Sequence, residues 1–162
     1  MPGDMHVKLE GTDSGEIKSE SKHDLHKEWL DVETVQWGIS APSGTALGGG
    51  QGAGKASFSD MVFSGAMAKH SPILAKVMAT GEHLKKVTVS VRKSGGKHDE
   101  YLWWVLEDAI VTNMSHSGHG TDSFSEMLSI AFSKVEFNYK PQKADGSLDS
   151  VVTFKRDLKA TK

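Results

Sequence analysis

The chain of 162 residues is predicted to form a single all-β domain, a barrel of two packed sheets with one short α-helix. Three observations predict this class. Apolar and polar residues alternate with a period of two through most of the chain, two long strand patterns change phase partway along, and only one segment has helical spacing. Long strands that bend are typical of closed sheets, so we expect about seven or eight strands in one domain spanning residues 1–162.

The clearest strand runs from Leu84 to Arg92, where alternate valines share one face and polar residues share the other. A similar alternation covers Met5 to Glu10. The glycine-rich stretch 94–97 predicts a turn, and Tyr101 to Thr112 then forms the returning strand of a hairpin. A further turn at Lys143–Gly146 leads to a last strand from about Val151 to Leu158.

The returning strand is apolar on both faces. Trp104 lies on one face between Leu102 and Leu106, and Trp103 lies on the other between Tyr101 and Val105. Such a strand is either central in a packed barrel or part of an interface between subunits. Because a monomer rarely exposes a large apolar patch, we predict a subunit interface at Trp103 and Trp104.

Two strand patterns change parity, which predicts a bend in each. In the first, apolar residues of even number up to Phe132 give way to apolar residues of odd number from Val135, and a β-bulge near Ser133–Lys134 would produce the change. In the second, the segment from Leu30 to Ile39 shows the same behaviour. Both patterns favour a closed sheet.

One helix is predicted over about residues 72–80. Ser71 is a suitable N-cap, Pro72 suits the first helical position, and Gly81 can adopt the left-handed conformation that ends a helix. Its apolar stripe consists of Ile73, Leu74, Val77 and Met78.

Composition excludes several functions. A net charge of −2 gives no general attraction to nucleic acid or to an anionic membrane. The absence of cysteine excludes disulfides, thiolate metal sites and a cysteine nucleophile. The N-terminus lacks the features of a secretory signal, and no segment approaches the roughly 20 apolar residues that span a bilayer. We therefore expect synthesis in the cytoplasm and no stable membrane insertion.

A phosphate-binding motif occurs in the wrong context. Residues 49–55 match G-x-x-x-x-G-K, but Ala56 stands where a hydroxyl should hold Mg²⁺. The residues that follow, Ser57 to Phe63, have a strand pattern, whereas a P-loop must open a helix whose amides face the phosphates. A nucleotide hydrolase that uses Lys55 is therefore the weaker hypothesis, and a glycine-rich loop is favoured.

The eight histidines include two pairs with H-x-x-H spacing, His23 with His26 and His116 with His119, and a further histidine at His98. Metal-binding pairs of this spacing need a helix, whereas these pairs lie in loops or strand ends, and no H-E-x-x-H motif occurs. No G-x-S-x-G nucleophile motif is found. We predict no metal, no cofactor and no catalytic residues, hence a protein that is not an enzyme.

The tryptophans leave one alternative open. Trp29, Trp37, Trp103 and Trp104 could stack on sugar rings, which would indicate a small-ligand or carbohydrate-binding barrel. Because all four lie within strand patterns, packing in a core or interface is favoured.

Several segments, in this order, resemble the haemolysin-coregulated protein (Hcp) family, the tube subunits of bacterial type VI secretion systems. The segments that carry the resemblance are Glu20-Ser21, His26-Lys27, Leu30-Asp31-Val32, Trp37-Gly38, Gly54-Lys55, Ser71-Pro72, Arg92-Lys93-Ser94-Gly95-Gly96 and Tyr139 to Ser147. The resemblance covers about Val7 to Lys159. It departs from the family at Ser19, where glycine is common, and in the last strand, which lacks the usual Gly-Trp.

The resemblance implies a phage-tail-tube-like barrel that forms a homohexameric ring. Rings stack into a tube, a contractile sheath propels the tube with a spike protein at its tip, and secreted effectors ride in the lumen. It further implies export from the bacterial cytoplasm to the extracellular space or a target cell without a signal peptide. Gln36 matches a family position that faces the lumen and contacts cargo.

The glycine-rich loop of about residues 42–56 matches the family's protruding loop, which meets the neighbouring ring. The residues implied in ring stacking are Ser43, Gly44, Leu47, Gly49, Gly50, Gly52, Gly54 and Lys55.

Overall fold

A computed structural model describes residues 4–42, 56–94, 99–120 and 123–160 of the chain. Within these residues the chain forms eleven β-strands and one α-helix. The elements are β1 Met5–Gly11, β2 Gly15–Ile17, β3 Leu30–Val32, β4 Thr34–Gln36, β5 Ile39–Ser40, β6 Ser57–Phe58, β7 Met61–Ala66, α1 His70–Thr80, β8 Leu84–Arg92, β9 Glu100–Gly118, β10 Phe124–Tyr139 and β11 Val152–Asp157. The predicted all-β class with one short helix is confirmed.

Nine strands belong to one antiparallel sheet. Its strand order is β2-β1-β8-β9-β10-β7-β4, with β11 paired to β10 and β3 paired to β1. The predicted hairpin is formed by β8 and β9, and β8 has the bounds that the sequence predicts. A separate two-stranded sheet joins β5 to β6, with Ser40 paired to Ser57.

The sheet is closed into a barrel by the segment that contains β3 and β4. β3 pairs with β1 near one end of the strand order, and β4, which follows after one residue, pairs with β7 near the other end. The crossing brings the Asp31 carbonyl close to Gly65 on β7, where a Cβ atom would lie 2.9 Å from that oxygen. Only glycine allows this approach without a shift of the backbone.

The core fills the space inside this closed sheet. Alternate residues of β1 and β8 point inward, and Val7, Leu9, Val87 and Val89 are fully buried. β1 departs from simple alternation because His6, which the sequence places on the polar face, is only 1% exposed. It is covered by residues 18–29, the connecting segment between β2 and β3.

The phase change in β10 occurs as predicted, but the bulge does not take the predicted form. The pairing passes from Phe132–Ala109 to Lys134–Glu107 without a change of register, so Ser133 and Asp108 lie opposite each other. Asp108 has a φ of 49°, and β9 changes phase at the same point. The shift of register lies instead between Ser129 and Ile130.

Helix α1 begins two residues earlier than predicted. Its N-cap is Lys69, and the Ser71 hydroxyl makes no cap bond from that position; it accepts the Ala68 N–H at 3.2 Å and donates to a buried carboxylate. Leu74 and Val77 are buried, whereas Ile73 is 40% exposed and therefore lies outside the buried stripe.

The predicted end of the helix is confirmed. Gly81 has a φ of 72°, its N–H donates to the Met78 carbonyl, and the Glu82 N–H donates to the Val77 carbonyl. This is the Schellman arrangement that satisfies the last carbonyls of a helix.

Candidate subunit interface

The two tryptophans predicted at an interface lie on opposite faces of β9 and have different surroundings. Trp104 points inward and is 6% exposed. Its ring stacks on Phe137 with centroids 5.3 Å apart and meets the edge of Trp37 at 6.1 Å. Trp104 therefore belongs to the interior of a single subunit and has little surface to offer a neighbour.

Trp103 points outward and is half-buried. The Lys140 ammonium lies 5.5 Å from its ring centroid, and beside it the Tyr101 ring meets Tyr139 edge-on at 6.2 Å. The outer face of β9 is thus aromatic and only partly covered. Of the two tryptophans, only Trp103 has surface available to a neighbouring subunit.

The neighbouring edge of the sheet is apolar and open. Every residue of β11 is exposed, including Val152 at 65% and Phe154 at 39%. Among the described residues β11 pairs only with β10, so one side of its backbone has no strand partner. An unpaired edge with apolar side chains is a surface on which another chain can add a strand.

Two grooves flank β11. One has a volume of about 470 Å³ and lies between β11 and β6, where Phe154 stacks on Phe58 at 6.3 Å; its lining is mainly apolar, with Arg156 as its charged residue. The other, of about 380 Å³, lies over β9, β10 and β11 and is lined by side chains of both charges. The open edge strand β11, with Val152 and Phe154 on one side of the sheet, and the outer side of β9, with Trp103 on the other, together form the candidate subunit interface.

The other residues predicted from the family resemblance can be placed only in part. Gln36 is exposed on β4 and its side chain is accessible. The residues implied in ring stacking, Ser43 to Lys55, lie outside the described residues. The strands β6 and β7 follow that loop, so the helix that a phosphate-binding loop requires is not there.

A buried polar network ties the helix to the sheet, and the sequence did not predict it. The Ser19 hydroxyl lies 2.7 Å from His70 Nδ1, and His70 Nε2 lies 2.5 Å from Glu126 Oε1. The Ser71 hydroxyl donates to Glu126 Oε2 at 2.6 Å, and His116 Nε2 is 2.7 Å from the same oxygen. Glu126, His70, Ser71 and Ser19 are each at most 5% exposed.

Burial alone would raise the pKa of Glu126. The hydrogen bonds from His70, Ser71 and His116 outweigh burial and lower the pKa of the carboxyl to about 2. A serine, a histidine and a carboxylate in sequence resemble a hydrolytic triad, but the cavity beside them has a volume of only about 10 Å³. Because Ser19 is itself only 2% exposed, we interpret the network as a structural tie between the helix and the sheet.

The rings of the histidine pair His23 and His26 lie close together. Their Nδ1 atoms lie 3.4 Å apart, and His6 from β1 completes a group of three rings. His116 binds Glu126 and is not paired with His119. Among the described residues no group of three or more potential ligands is arranged to hold a metal ion.

The remaining tryptophans do not form an open stacking platform. Trp37 packs against Trp104 and Phe137 inside the barrel, and Trp29 meets the His26 ring edge-on at 4.4 Å. In the part of the chain that the structure describes, no helix is long and apolar enough to cross a membrane.

Comparison with known proteins places this chain in a family. The family model described as "Type VI secretion system effector, Hcp" matches residues 6–139. Protein hcp1 of Pseudomonas aeruginosa is 36% identical over 151 residues, which cover 92% of this chain and 90% of that protein.

Solved structures agree with this assignment. A type six secretion system protein with 24% identity superposes with a TM-score of 0.85 over 96% of both chains, which shows the shared fold. A type VI secretion system effector from Yersinia pestis has 27% identity and a TM-score of 0.75, over 95% of this chain and 99% of that chain.

These proteins define a class, the secreted β-barrel components of type VI secretion systems. The chain belongs to the Hcp family, which is a family of structural and secreted proteins and not of enzymes.

Proposed function

We propose that this protein is a tube subunit that forms homohexameric rings, and that the rings stack into the inner tube of a type VI secretion system. The observation that carries the proposal is the candidate subunit interface. It combines an edge strand with an open backbone, exposed Val152 and Phe154 on one side of the sheet, and the partly covered Trp103 on the other side.

A closed ring accounts for this face in physical terms. An exposed apolar edge strand in a lone subunit promotes uncontrolled pairing with other chains, and natural proteins cover such edges. Head-to-tail contacts that close into a ring place each subunit's edge against a different surface of the next subunit, and no edge remains free.

Membership of the Hcp family also implies partners for the tube. Gln36 is accessible on β4, and we propose that it faces the lumen and contacts secreted effectors. The stacked rings would meet the spike protein at the tip and the contractile sheath around the outside. The subunit would leave the bacterial cytoplasm through this machine and not through a signal-peptide pathway.

Substitution at the open edge tests the ring. Val152→Lys adds a charge to a side chain that is 65% exposed, so the subunit should still fold. Leu25→Lys is the matched control because Leu25 is 66% exposed but lies on the connecting segment, away from β11. In sedimentation velocity, the control and the unaltered protein should sediment as hexamers and Val152→Lys as a monomer.

Trp103→Ala should weaken the ring in the same assay, because it removes the largest outward side chain of β9. The proposal is wrong if the unaltered protein stays monomeric at high concentration, or if Val152→Lys and Trp103→Ala both form rings as stable as the control. Loss of sugar binding by Trp103→Ala with rings unaffected would favour a carbohydrate-binding barrel instead.

A further inference from the structure

Three histidines meet where the connecting segment covers β1, and only one of them is distant in the sequence from the other two. His6 lies on β1, and His23 and His26 lie on the segment that covers it. Their ring centroids are 5.1 Å apart for His6 and His23, 5.1 Å for His6 and His26, and 5.2 Å for His23 and His26. We call these residues the histidine triangle. His6 is 1% exposed and His26 is 6% exposed.

The hydrogen bonds of the triangle require an unprotonated nitrogen. The Leu25 N–H donates to His23 Nδ1 at 3.2 Å, so this nitrogen must present its lone pair. His26 Nδ1 lies 3.4 Å from the same atom and can only act as the donor. A second proton on His23 would place an N–H against both donors and break the arrangement.

The charged groups around the histidine triangle act differently on His6 and on His26. From β3, the Asp31 carboxylate lies 3.1 Å from His6 Nε2, and Asp4 adds a weaker negative charge next to β1. From β8, Arg92 adds a positive charge that acts on both buried histidines, and its Nε atom is buried without a hydrogen-bond partner. His6 therefore has an acidic partner, whereas the groups that act on His26 are two histidines and an arginine.

Burial, reinforced by His6, Arg92 and His23, lowers the pKa of His26 to about 4. Burial also lowers the pKa of His6, against the attraction of Asp31. A histidine whose pKa is lower in the folded chain than in the unfolded chain contributes fully above its ordinary value of 6.5. Its contribution is lost as the pH falls from 6.5 toward 4.

We propose that the histidine triangle is an acid-sensitive clasp, which holds the connecting segment against β1 at neutral pH and releases it when the imidazole side chains take up protons. Release of the segment also loosens α1. Ser19 and Glu20 at the start of the segment bind His70 and the Lys69 N–H, the latter at 2.7 Å, so both contacts depend on a closed clasp. The clasp lies within one subunit and operates whether or not the subunits assemble into hexameric rings.

Hydrogen–deuterium exchange at pH 7.5 and pH 5.0, corrected for intrinsic rates and with EDTA present, tests the clasp. In the unaltered protein, the protection of residues 19–29 should fall at least about tenfold at pH 5.0, since each unit of pKa displacement corresponds to a factor of ten. The centres of β9 and β10 should keep their protection. The double variant His6→Gln/His26→Gln should lose this pH dependence, whereas His119→Gln, an exposed histidine outside the triangle, should keep it.

A second measurement covers the case in which the double variant does not fold. In the unaltered protein, an NMR titration of the histidine side chains should give a midpoint for His26 well below 6.5, and the loss of protection in residues 19–29 should begin below pH 6.5 and level off near that midpoint. Uniform loss of protection across the whole sheet, no loss at pH 5.0, or ordinary titration of His26 with the segment still closed would each overturn the clasp.

Discussion

Glu126 connects three elements through one carboxylate. It lies on β10 and accepts hydrogen bonds from His70 and Ser71 on α1 and from His116 on β9. A buried carboxylate is costly unless its oxygens are satisfied, and here both oxygens have donors. The single helix is thereby attached to the barrel by charge-assisted bonds as well as by the burial of Leu74 and Val77.

Replacement of this carboxylate should destabilise the protein. Glu126→Gln keeps one oxygen acceptor but loses the charge, and it leaves buried donors poorly paired. We expect the free energy of unfolding at pH 7 to fall by about 2 to 3 kcal/mol. Urea denaturation at fixed subunit concentration measures the change. Glu33→Gln, on an exposed residue, is the control and should change the free energy by less than about 0.5 kcal/mol.

The pH dependence of this difference has a definite sign. The pKa of Glu126 is about 2 in the folded chain against an ordinary value of 4.5, so its contribution is present above pH 4.5 and is lost as the pH falls toward 2. The difference between the unaltered protein and Glu126→Gln should therefore shrink below pH 4.5. A difference that stays constant down to pH 3 would show that the charge is not what stabilises the network.

The neighbouring tryptophans of β9 should respond in opposite ways. Trp104→Ala removes a ring that packs on Phe137 and Trp37, and it should lower the free energy of unfolding by about 3 to 5 kcal/mol, as measured by urea denaturation. Trp103→Ala should cost far less stability within the subunit and act mainly on association. Equal losses of stability from the two substitutions would contradict the assignment of opposite faces.

Helix α1 ends where backbone freedom is required. The φ of 72° at Gly81 costs an L-residue strain even though a Cβ there would meet no atom within 4 Å. Gly81→Ala should therefore lower the midpoint of urea denaturation, by an amount equivalent to about 1 kcal/mol. Gly120→Ala is the control, because its Cβ also meets nothing within 4 Å and its φ is not in the left-handed region. Similar effects of both substitutions would mean that the conformation at Gly81 is not the cause.

The elements differ in how well local patterns predict them. The valine alternation of β8 and the glycine stop of α1 depend on neighbouring residues alone, and both were predicted correctly. The start of α1 was placed two residues late, because Ser71 bonds to Glu126, a residue 55 positions away, and not to its own helix end. The irregularity at Ser133 involves Asp108 on the partner strand, which no local pattern of β10 reveals.

The same limit applies to the candidate site. Apolar residues on both sides of β9 were evident in the sequence, but burial of Trp104 depends on Phe137 and Trp37 from other strands. The histidine triangle joins His6 to residues 17 or more positions away. Its local signs are the spacing of His23 and His26 and a histidine on the half-apolar strand β1, and neither sign distinguishes a buried imidazole ring from an exposed one.

At the scale of the whole molecule, closure of the barrel leaves few places where subunits can meet. β3 and β4 close the main sheet, and two of the elements described outside this closure are the edge strand β11 and the small β5–β6 sheet. The apolar side chains of β11 and the outer face of β9 lie on opposite sides of the sheet, and both suit contacts within a ring. The β5–β6 pair carries the loop of about residues 42–56 and is the remaining element suited to contacts between rings.

Removal of residues 48–54 tests the contacts between rings separately from the contacts within a ring. Ser40 and Ser57 are paired across β5 and β6, so the ends of the loop stay together and the nine residues that remain between them can connect them. We expect the shortened protein to fold and form hexamers in sedimentation velocity, but to form few or no stacked tubes in electron micrographs taken at a concentration where the unaltered protein forms tubes.

Replacement of the deleted residues by a serine–glycine linker of equal length is the control for chain length. If the linker variant also fails to stack, the loop acts through its own side chains. If it stacks normally, the loop acts only as a spacer. Undiminished stacking by the shortened protein would contradict a role for the loop between rings, and the face of β11 would then have to supply both kinds of contact, which one edge strand cannot do at once.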